Sequence, residues 1–171
     1  MLQELIQKLK DLCDERVREV HTAVPGRIIS FDPETGLADV QPIMKFKKPS
    51  GVKIDYPHLY GVPVMFPQTA GASIAYPVRE GDGCLLIVAE QALDYWMYGQ
   101  ETDTDLAFDL TNAECIPGLF REANPVAAEA LKEDAIVMAV GETRLSVSKD
   151  KVKITGNLEV SGTVTSGGEP A

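Results

Sequence analysis

The last part of the chain carries a regular alternation of apolar and polar residues, in four consecutive six-residue blocks between Leu145 and Gly168. Strict alternation is typical of a strand with one buried face, and a glycine at a fixed interval allows the chain to turn. So short a period indicates a β-repeat that stacks rather than a compact domain. The apolar positions are Leu145, Val147, Val152, Ile154, Leu158, Val160 and Val164, and the turn glycines are Gly156, Gly162 and Gly168.

The repeat cannot be stable on its own. Burying its seven apolar side chains contributes about 10–20 kcal/mol at most, whereas ordering its backbone costs roughly 1–2 kcal/mol for each residue. The apolar edge must therefore be covered, most simply by copies of the same chain. A meander packed on the rest of the chain is the simpler alternative, but the short period leaves no room for strands that cover a globular core. We therefore predict an intertwined homo-oligomeric β-prism over residues 135–171.

Residues 1–22 are predicted to form an amphipathic helix, because apolar residues recur at helical spacing with charged residues on the opposite face. Leu2, Leu5, Leu9 and Leu12 follow a heptad seam that is interrupted at Arg16. The pattern fits a helix packed on its own domain, and it also fits one that lies on an oligomer axis or docks on a hub partner. Two heptads do not decide between these, although the oligomeric C-terminus favours the axis.

Residues 23–120 are predicted to form a small OB-like β-barrel. Five short strands joined by turns are typical of a closed or partly closed barrel. They are GRIISFD (26–32), GLADVQPIM (36–44), HLYGVPVMF (58–66), ASIAYPV (72–78) and CLLIVAE (84–90). The segment QALDYWMYG (91–99) is predicted to be a helical turn that places Trp96 against the barrel. Residues 121–134 form a connector, so the fold class is mainly β.

Charge changes the picture by excluding one class of partner. The net charge is −10, and the stretch from Glu80 to Asp134 has 13 acidic and two basic residues. A nucleic-acid-binding protein needs the opposite sign, so no nucleic acid is expected as a partner.

The three cysteines are widely separated, which indicates folding in a reducing cytosol. The N-terminus lacks the pattern of a signal peptide, and we expect synthesis in the cytoplasm.

No pattern of catalytic or metal-binding residues is present. His21 and His58 are the only histidines, and neither has a second metal ligand at useful spacing. The chain has no nucleophile elbow, P-loop or dinucleotide fingerprint. Asp103 and Asp105 lack the glycine and the terminal glutamate of a calcium loop. We therefore predict that the protein is not an enzyme and has no catalytic residues, no cofactor and no metal.

The order of these modules resembles that of the central spike proteins of contractile injection machines, such as phage baseplates and phage-tail-like bacteriocins (tailocins). The residues that carry the resemblance lie in 62–96, 109–120 and 151–168, which hold VPVMFPQTAGASIAYPVREGDGCLLIVAEQALDYW, DLTNAECIPGLF and KVKITGNLEVSGTVTSGG. With the first barrel hairpin, the resemblance covers most of the chain from about Val24 onward. Many trimeric fibres share such a repeat, so the order of all three segments is the more specific feature.

The resemblance implies a homotrimer with its OB barrel on the tail hub and its triple-stranded β-helix pointing at the target cell. The spike plugs the tail tube or hub, and sheath contraction drives it through the cell envelope. The implied partners are hub or baseplate proteins on the barrel side, with transient contact to the envelope. The implied location is the baseplate of a virion or tailocin released by lysis. By the same analogy, the trimer axis is filled by Val152, Ile154, Leu158, Val160 and Val164.

One feature departs from the spike pattern. Related spikes often end in a His-x-His pair that binds an iron ion, whereas this chain has no histidine after His58. An apical iron is therefore doubtful. A blunt tip, a separate tip protein at the C-terminal end, and a hub plug in place of a piercing point all stay open.

A second hypothesis belongs to the class of binding modules. An oligomeric OB-fold protein that recognises a saccharide or single-stranded nucleic acid could use the β-repeat as its stalk. The acidic charge argues against nucleic acid, and an aromatic content of 6% leaves few stacking platforms.

Overall fold

The computed structural model describes residues 1–48, 50–99, 106–120, 122–165 and 167, without the side chains of Arg18 and Glu19. The chain divides into two compact units, Met1–Phe120 and Arg121–Ala171. The mainly β fold with an N-terminal helix is confirmed.

The first unit begins with helix α1, Leu2–Glu19. Its sequence is rich in leucine, glutamine, glutamate and lysine, which are good helix formers. The N-terminal amino group forms an ion pair with Glu4 (3.1 Å) in the first turn. Every side chain of α1 that the structure describes is exposed, so the helix is not buried in the first unit.

Nine strands and one short α-helix follow in the described part of the first unit. The strands are Ala23–Asp32 (β1), Leu37–Pro42 (β2), Lys45–Lys47 (β3), Lys53–Asp55 (β4), Leu59–Pro63 (β5), Gln68–Thr69 (β6), Ala72–Ser73 (β7), Gly83–Val88 (β8) and Ala113–Pro117 (β9). Helix α2, Asp94–Tyr98, and a 3-10 turn, Leu110–Asn112, lie between β8 and β9. Strands β5, β2, β1, β8 and β9 form one sheet in that order, and β3–β4 and β6–β7 form two separate hairpins.

The five-stranded sheet curls into a half-barrel. Its two edges approach each other where Val64 forms a parallel bridge with Cys115, and the Met65 amide donates to the Cys115 carbonyl (2.8 Å). The pairing of β1 with β2 shifts between Ile28 and Ser30, and such bulges bend a strand and increase its twist. The coarse prediction of a small OB-like β domain is thereby confirmed as a curled half-barrel.

The core lies inside this curled sheet. Strands β2 and β8 bury alternate residues, as a strand with one buried face requires. The largest fully buried aliphatic side chains are Val24, Ile28, Val40 and Leu86, and Cys84 and Cys115 pack among them. The alternation seen in the sequence therefore marks the inward face correctly.

Two sequence predictions about the barrel are wrong. The segment ASIAYPV (72–78) does not form a barrel strand, because only Ala72–Ser73 pairs, with Gln68–Thr69 in a small exposed arm. Pro77 has no amide hydrogen to donate to a sheet. Helix α2 forms as predicted, but Trp96 is 78% exposed and does not pack against the barrel. The helix is only five residues long and has no buried residue.

The described residues of the second unit form a three-stranded antiparallel sheet and one helix. Helix α3, Pro125–Glu133, lies inside the segment read as a connector. Strands β10 (Ile136–Val140), β11 (Thr143–Val147) and β12 (Val152–Thr155) follow and pair in chain order. Residues 157–165 are exposed and have no regular secondary structure. A single chain thus forms a meander over the first part of the repeat, and the intertwined trimer stays a prediction.

Candidate functional site

The second unit has one apolar sheet face that no described residue of the unit covers. The pairing places Ile136 beside Val147 and Met138 beside Leu145, and these are followed across the sheet by Val152 and Ile154. Because residues two apart in a strand share a face, this face carries one polar residue, Thr143, and seven apolar ones: Ile136, Met138, Val140, Leu145, Val147, Val152 and Ile154. Six of the seven side chains are between 37% and 76% exposed, and Leu145 is partly buried. We call this the apolar face.

Helix α3 covers the opposite face of the same sheet. The Ser146 hydroxyl donates to the Glu133 carboxylate (3.1 Å), and the Arg144 guanidinium pairs with Glu129 (3.4 Å). The Asn124 side chain caps α3 by accepting a hydrogen bond from the Val126 amide (2.9 Å). The helix therefore covers the β10 and β11 part of the more polar face, whereas the described residues leave the apolar face open.

The sequence found part of this surface. Among the residues predicted for the trimer core, Leu145, Val147, Val152 and Ile154 lie together on the apolar face. The remaining three are exposed in residues 157–165, away from any strand; they are Leu158, Val160 and Val164.

Three members of the apolar face were missed, namely Ile136, Met138 and Val140. Their alternation along one strand, followed by the turn at Gly141 and Glu142, was the signal that could have placed them opposite β11.

The turn glycines differ in their surroundings. Gly156 has a positive φ of 117°, and a side chain there would also press on Thr143 at 3.2 Å, so this position favours glycine. A Cβ at Gly162 would meet nothing within 4 Å. Gly168 lies outside the described residues.

Helix α1 carries a second exposed apolar surface. Leu2, Leu5, Leu9 and Leu12 are between 54% and 71% exposed, and Cys13 is also exposed. The four leucines lie along the predicted heptad seam, which is the arrangement that another helix could cover.

Three titratable side chains of the first unit, Cys84, Cys115 and His21, are packed against neighbouring side chains. Cys84 and Cys115 are fully buried, and contact with the Cys84 thiol together with burial raises the pKa of Cys115. A thiol in such a site is a poor nucleophile. The His21 ring meets Tyr56 edge to face, with centroids 5.7 Å apart. Among the described residues, no group of three or more His, Cys, Asp or Glu residues is placed to hold a metal ion.

One cleft of mixed polarity lies on the barrel. It has a volume of about 460 Å³ and runs between strand β5 and helix α2, with the 3-10 turn forming part of its wall. Tyr60 and Tyr98 line it and are 75% and 61% exposed. Asp94 and Asn112 also line it.

A separate basic surface is formed by the β3–β4 hairpin. It presents the four lysines Lys45, Lys47, Lys48 and Lys53, all of them exposed. Lys45 forms an ion pair with Asp55 (2.7 Å) across the hairpin.

Comparison with known proteins places the barrel in a family. The sequence profile described as "Phage protein Gp138 N-terminal domain" matches residues 24–118, which is more than half of the chain. The matched range contains nearly all of the half-barrel, from β1 to β9. A comparison with curated proteins gave no match. Within the described part of the chain, no helix is long and apolar enough to cross a membrane.

Proposed function

Because this chain belongs to the Gp138 N-terminal domain family of phage proteins, we propose that it is a structural, non-enzymatic spike of a contractile-tail baseplate. The barrel docks on the tail hub, and the C-terminal repeat of three chains forms the spike that sheath contraction drives through the target envelope. The mature protein resides in the baseplate of a virion or tailocin.

The observation that carries this proposal is the open apolar face. Fully burying a large aliphatic side chain contributes about 1.5–3 kcal/mol. Since the side chains of this face are about half exposed, covering all seven contributes roughly 5–10 kcal/mol for each chain. A continuous face of seven exposed or half-exposed apolar side chains is typical of a protein interface rather than of a free surface. No described residue pairs with the outer edge of β12 either, and such an edge invites strand pairing with a neighbour.

We propose three copies as the occupants of this interface, because the module order resembles that of trimeric spikes. In this arrangement Leu158, Val160 and Val164 continue the apolar face along the axis beyond β12. We further propose that the α1 helices of the three chains pack against one another through Leu2, Leu5, Leu9 and Leu12. A closed ring of three chains leaves no free sheet edge at its sides.

The solution mass of the full chain, measured by light scattering, tests the trimer. The expected mass is about 56 kDa, three times the 18.6 kDa of one chain. A mass of 18.6 kDa at every accessible concentration would contradict the proposal, and a barrel that binds its ligand as a single chain would then be the hypothesis to test.

A matched pair of variants tests whether the apolar face forms the contact. Ile154 lies on the apolar face, and Lys153 is its neighbour in the same strand, on the other face. Ile154→Asp places a charge in the proposed interface, where desolvation is costly, and the trimer is expected to dissociate. Lys153→Asp introduces the same side chain outside the interface and is expected to leave the mass unchanged. If both variants stayed trimeric, another surface would hold the copies together, and if both dissociated, the contact would not be specific to the apolar face.

A further inference from the structure

The cleft between β5 and α2 is not used by the spike proposal. Its volume of about 460 Å³ falls within the range of small-molecule sites, about 300–1,000 Å³. Two exposed phenol rings line it, Tyr60 from the strand and Tyr98 from the helix. Exposed tyrosine rings offer an apolar face at little entropic cost and a hydroxyl for hydrogen bonding.

The polar groups of the cleft keep free capacity for hydrogen bonds. Asn112 is 6% exposed, and its amide nitrogen donates one hydrogen bond, to the Leu106 carbonyl (3.0 Å). A side-chain amide has two donor hydrogens and an acceptor oxygen, and the hydrogen bonds of Asn112 to other described residues leave half or more of this capacity unused. The Thr111 hydroxyl donates to Asp109 (2.6 Å) and can still accept. Asp94 adds a carboxylate, which only accepts when ionised.

Charge restricts the ligand. Asp94 lines the cleft, Asp109 lies next to the lining residues Thr111 and Asn112, and the surrounding sequence from Glu80 to Asp134 is strongly acidic. An anionic ligand would meet like charges at short range, which disfavours binding. Nucleic acids and acidic glycans are therefore disfavoured, whereas an uncharged ligand with an apolar face and a rim of hydroxyl groups is complementary.

We propose that this cleft binds an uncharged oligosaccharide. The C–H face of a pyranose ring packs against Tyr60 and Tyr98, and its hydroxyl groups hydrogen-bond to Asp94, Thr111 and Asn112. The cleft belongs to one barrel, so this binding does not depend on the trimer. A spike without the sugar site and a sugar-binding barrel without the trimer are thus separable outcomes.

Ligand-observed NMR on the full chain tests the site with defined probes. The probes are maltotriose, cellotriose and triacetylchitotriose, all uncharged, with trigalacturonate as the anionic comparison. Saturation transfer to at least one uncharged trisaccharide is expected, and none to trigalacturonate. Absence of binding by all three uncharged probes would overturn the proposal, and so would equal binding of the anionic one. A cleft that takes a segment of a partner protein would give this negative result.

Two exposed tyrosines supply a matched test of position. Tyr60→Ala removes a ring from the cleft, and Tyr95→Ala removes a similarly exposed ring of α2 that does not line it. Both side chains are more than half exposed, so neither change should disturb the unfolding midpoint. Tyr60→Ala is expected to weaken binding at least about tenfold, and Tyr95→Ala to leave it unchanged. Equal affinities of the two variants would place the sugar elsewhere.

Discussion

Gly83, the first residue of β8, lies where the chain leaving β9 passes close by. The Gly118 amide donates to the Gly83 carbonyl (2.9 Å). A Cβ added at Gly83 would overlap the Leu119 carbonyl oxygen and lie 2.9 Å from its carbon. Gly83 has no positive φ, so the change to alanine introduces a steric conflict and no backbone strain. The predicted defect is therefore one of space alone.

The colliding atoms belong to the backbone, so they cannot rotate away as a side chain would. Either the segment after β9 moves and weakens the Gly118 hydrogen bond, or β8 shifts in the sheet. Overpacking of this kind costs about 1–3 kcal/mol, and a weakened hydrogen bond adds about 1 kcal/mol. Alanine restricts the unfolded chain and offsets about 0.4–1 kcal/mol. We expect Gly83→Ala to lower the free energy of unfolding by about 2 kcal/mol.

Urea unfolding followed by circular dichroism measures this loss. Wild type and variants are compared at one protein concentration, because oligomer stability depends on concentration. Gly71→Ala is the control, since a Cβ there meets nothing within 4 Å and Gly71 has no positive φ. The control is expected to stay within about 0.5 kcal/mol of wild type. If Gly83→Ala behaved like the control, the close approach of Leu119 to β8 would be refuted.

Two further predictions concern titratable groups. In the folded protein, Cys13 should react with Ellman's reagent while Cys84 and Cys115 react only after unfolding, because only Cys13 is exposed; a second rapidly reacting thiol would contradict the packing of the barrel. Hydrogen bonds from the Thr111 hydroxyl and amide lower the pKa of Asp109, so its contribution to stability is present above the unfolded pKa of about 3.9 and is lost as the pH falls through the folded pKa. The difference in stability between wild type and Asp109→Asn, from urea unfolding at several pH values, should shrink below about pH 4, and a difference that grew there would refute this sign.

The barrel could be predicted from sequence where buried and exposed residues alternate along a strand. Strands β2 and β8 have one buried face each, so their alternation gives both the element and its inward residues. The turn at Pro33 to Gly36 could also be predicted, because its interactions are local. The Asp32 carboxylate accepts hydrogen bonds from the Glu34 amide and the Thr35 hydroxyl. Local chemistry was sufficient in these places.

Other features depend on contacts that no local pattern contains. The segment around Ile74 and Tyr76 is apolar enough for a strand, yet it lies in an exposed arm because β5 already closes on β9. Trp96 is hydrophobic, but the residues of α2 that line the cleft are Asp94, Met97 and Tyr98, and Trp96 is exposed. The cleft itself brings together His58 to Pro63 with Thr111 to Ala113, which are about 50 residues apart in sequence. Only the closure of the sheet makes them neighbours.

A single chain pairs only the first part of the C-terminal repeat into strands. Strand β11 pairs on both sides because the chain turns back at Gly141 and again between Ser148 and Lys151. After Gly156 the described chain forms no further strand up to residue 165, so among the described residues the same alternation has no strand beside it. In the described part of the chain, neither its apolar side chains nor its backbone groups have partners, and unpaired backbone groups are costly wherever water is removed. A neighbouring chain that adds a strand supplies both at once, which is why the trimer proposed here accounts for the whole repeat and a packed meander accounts only for its first half.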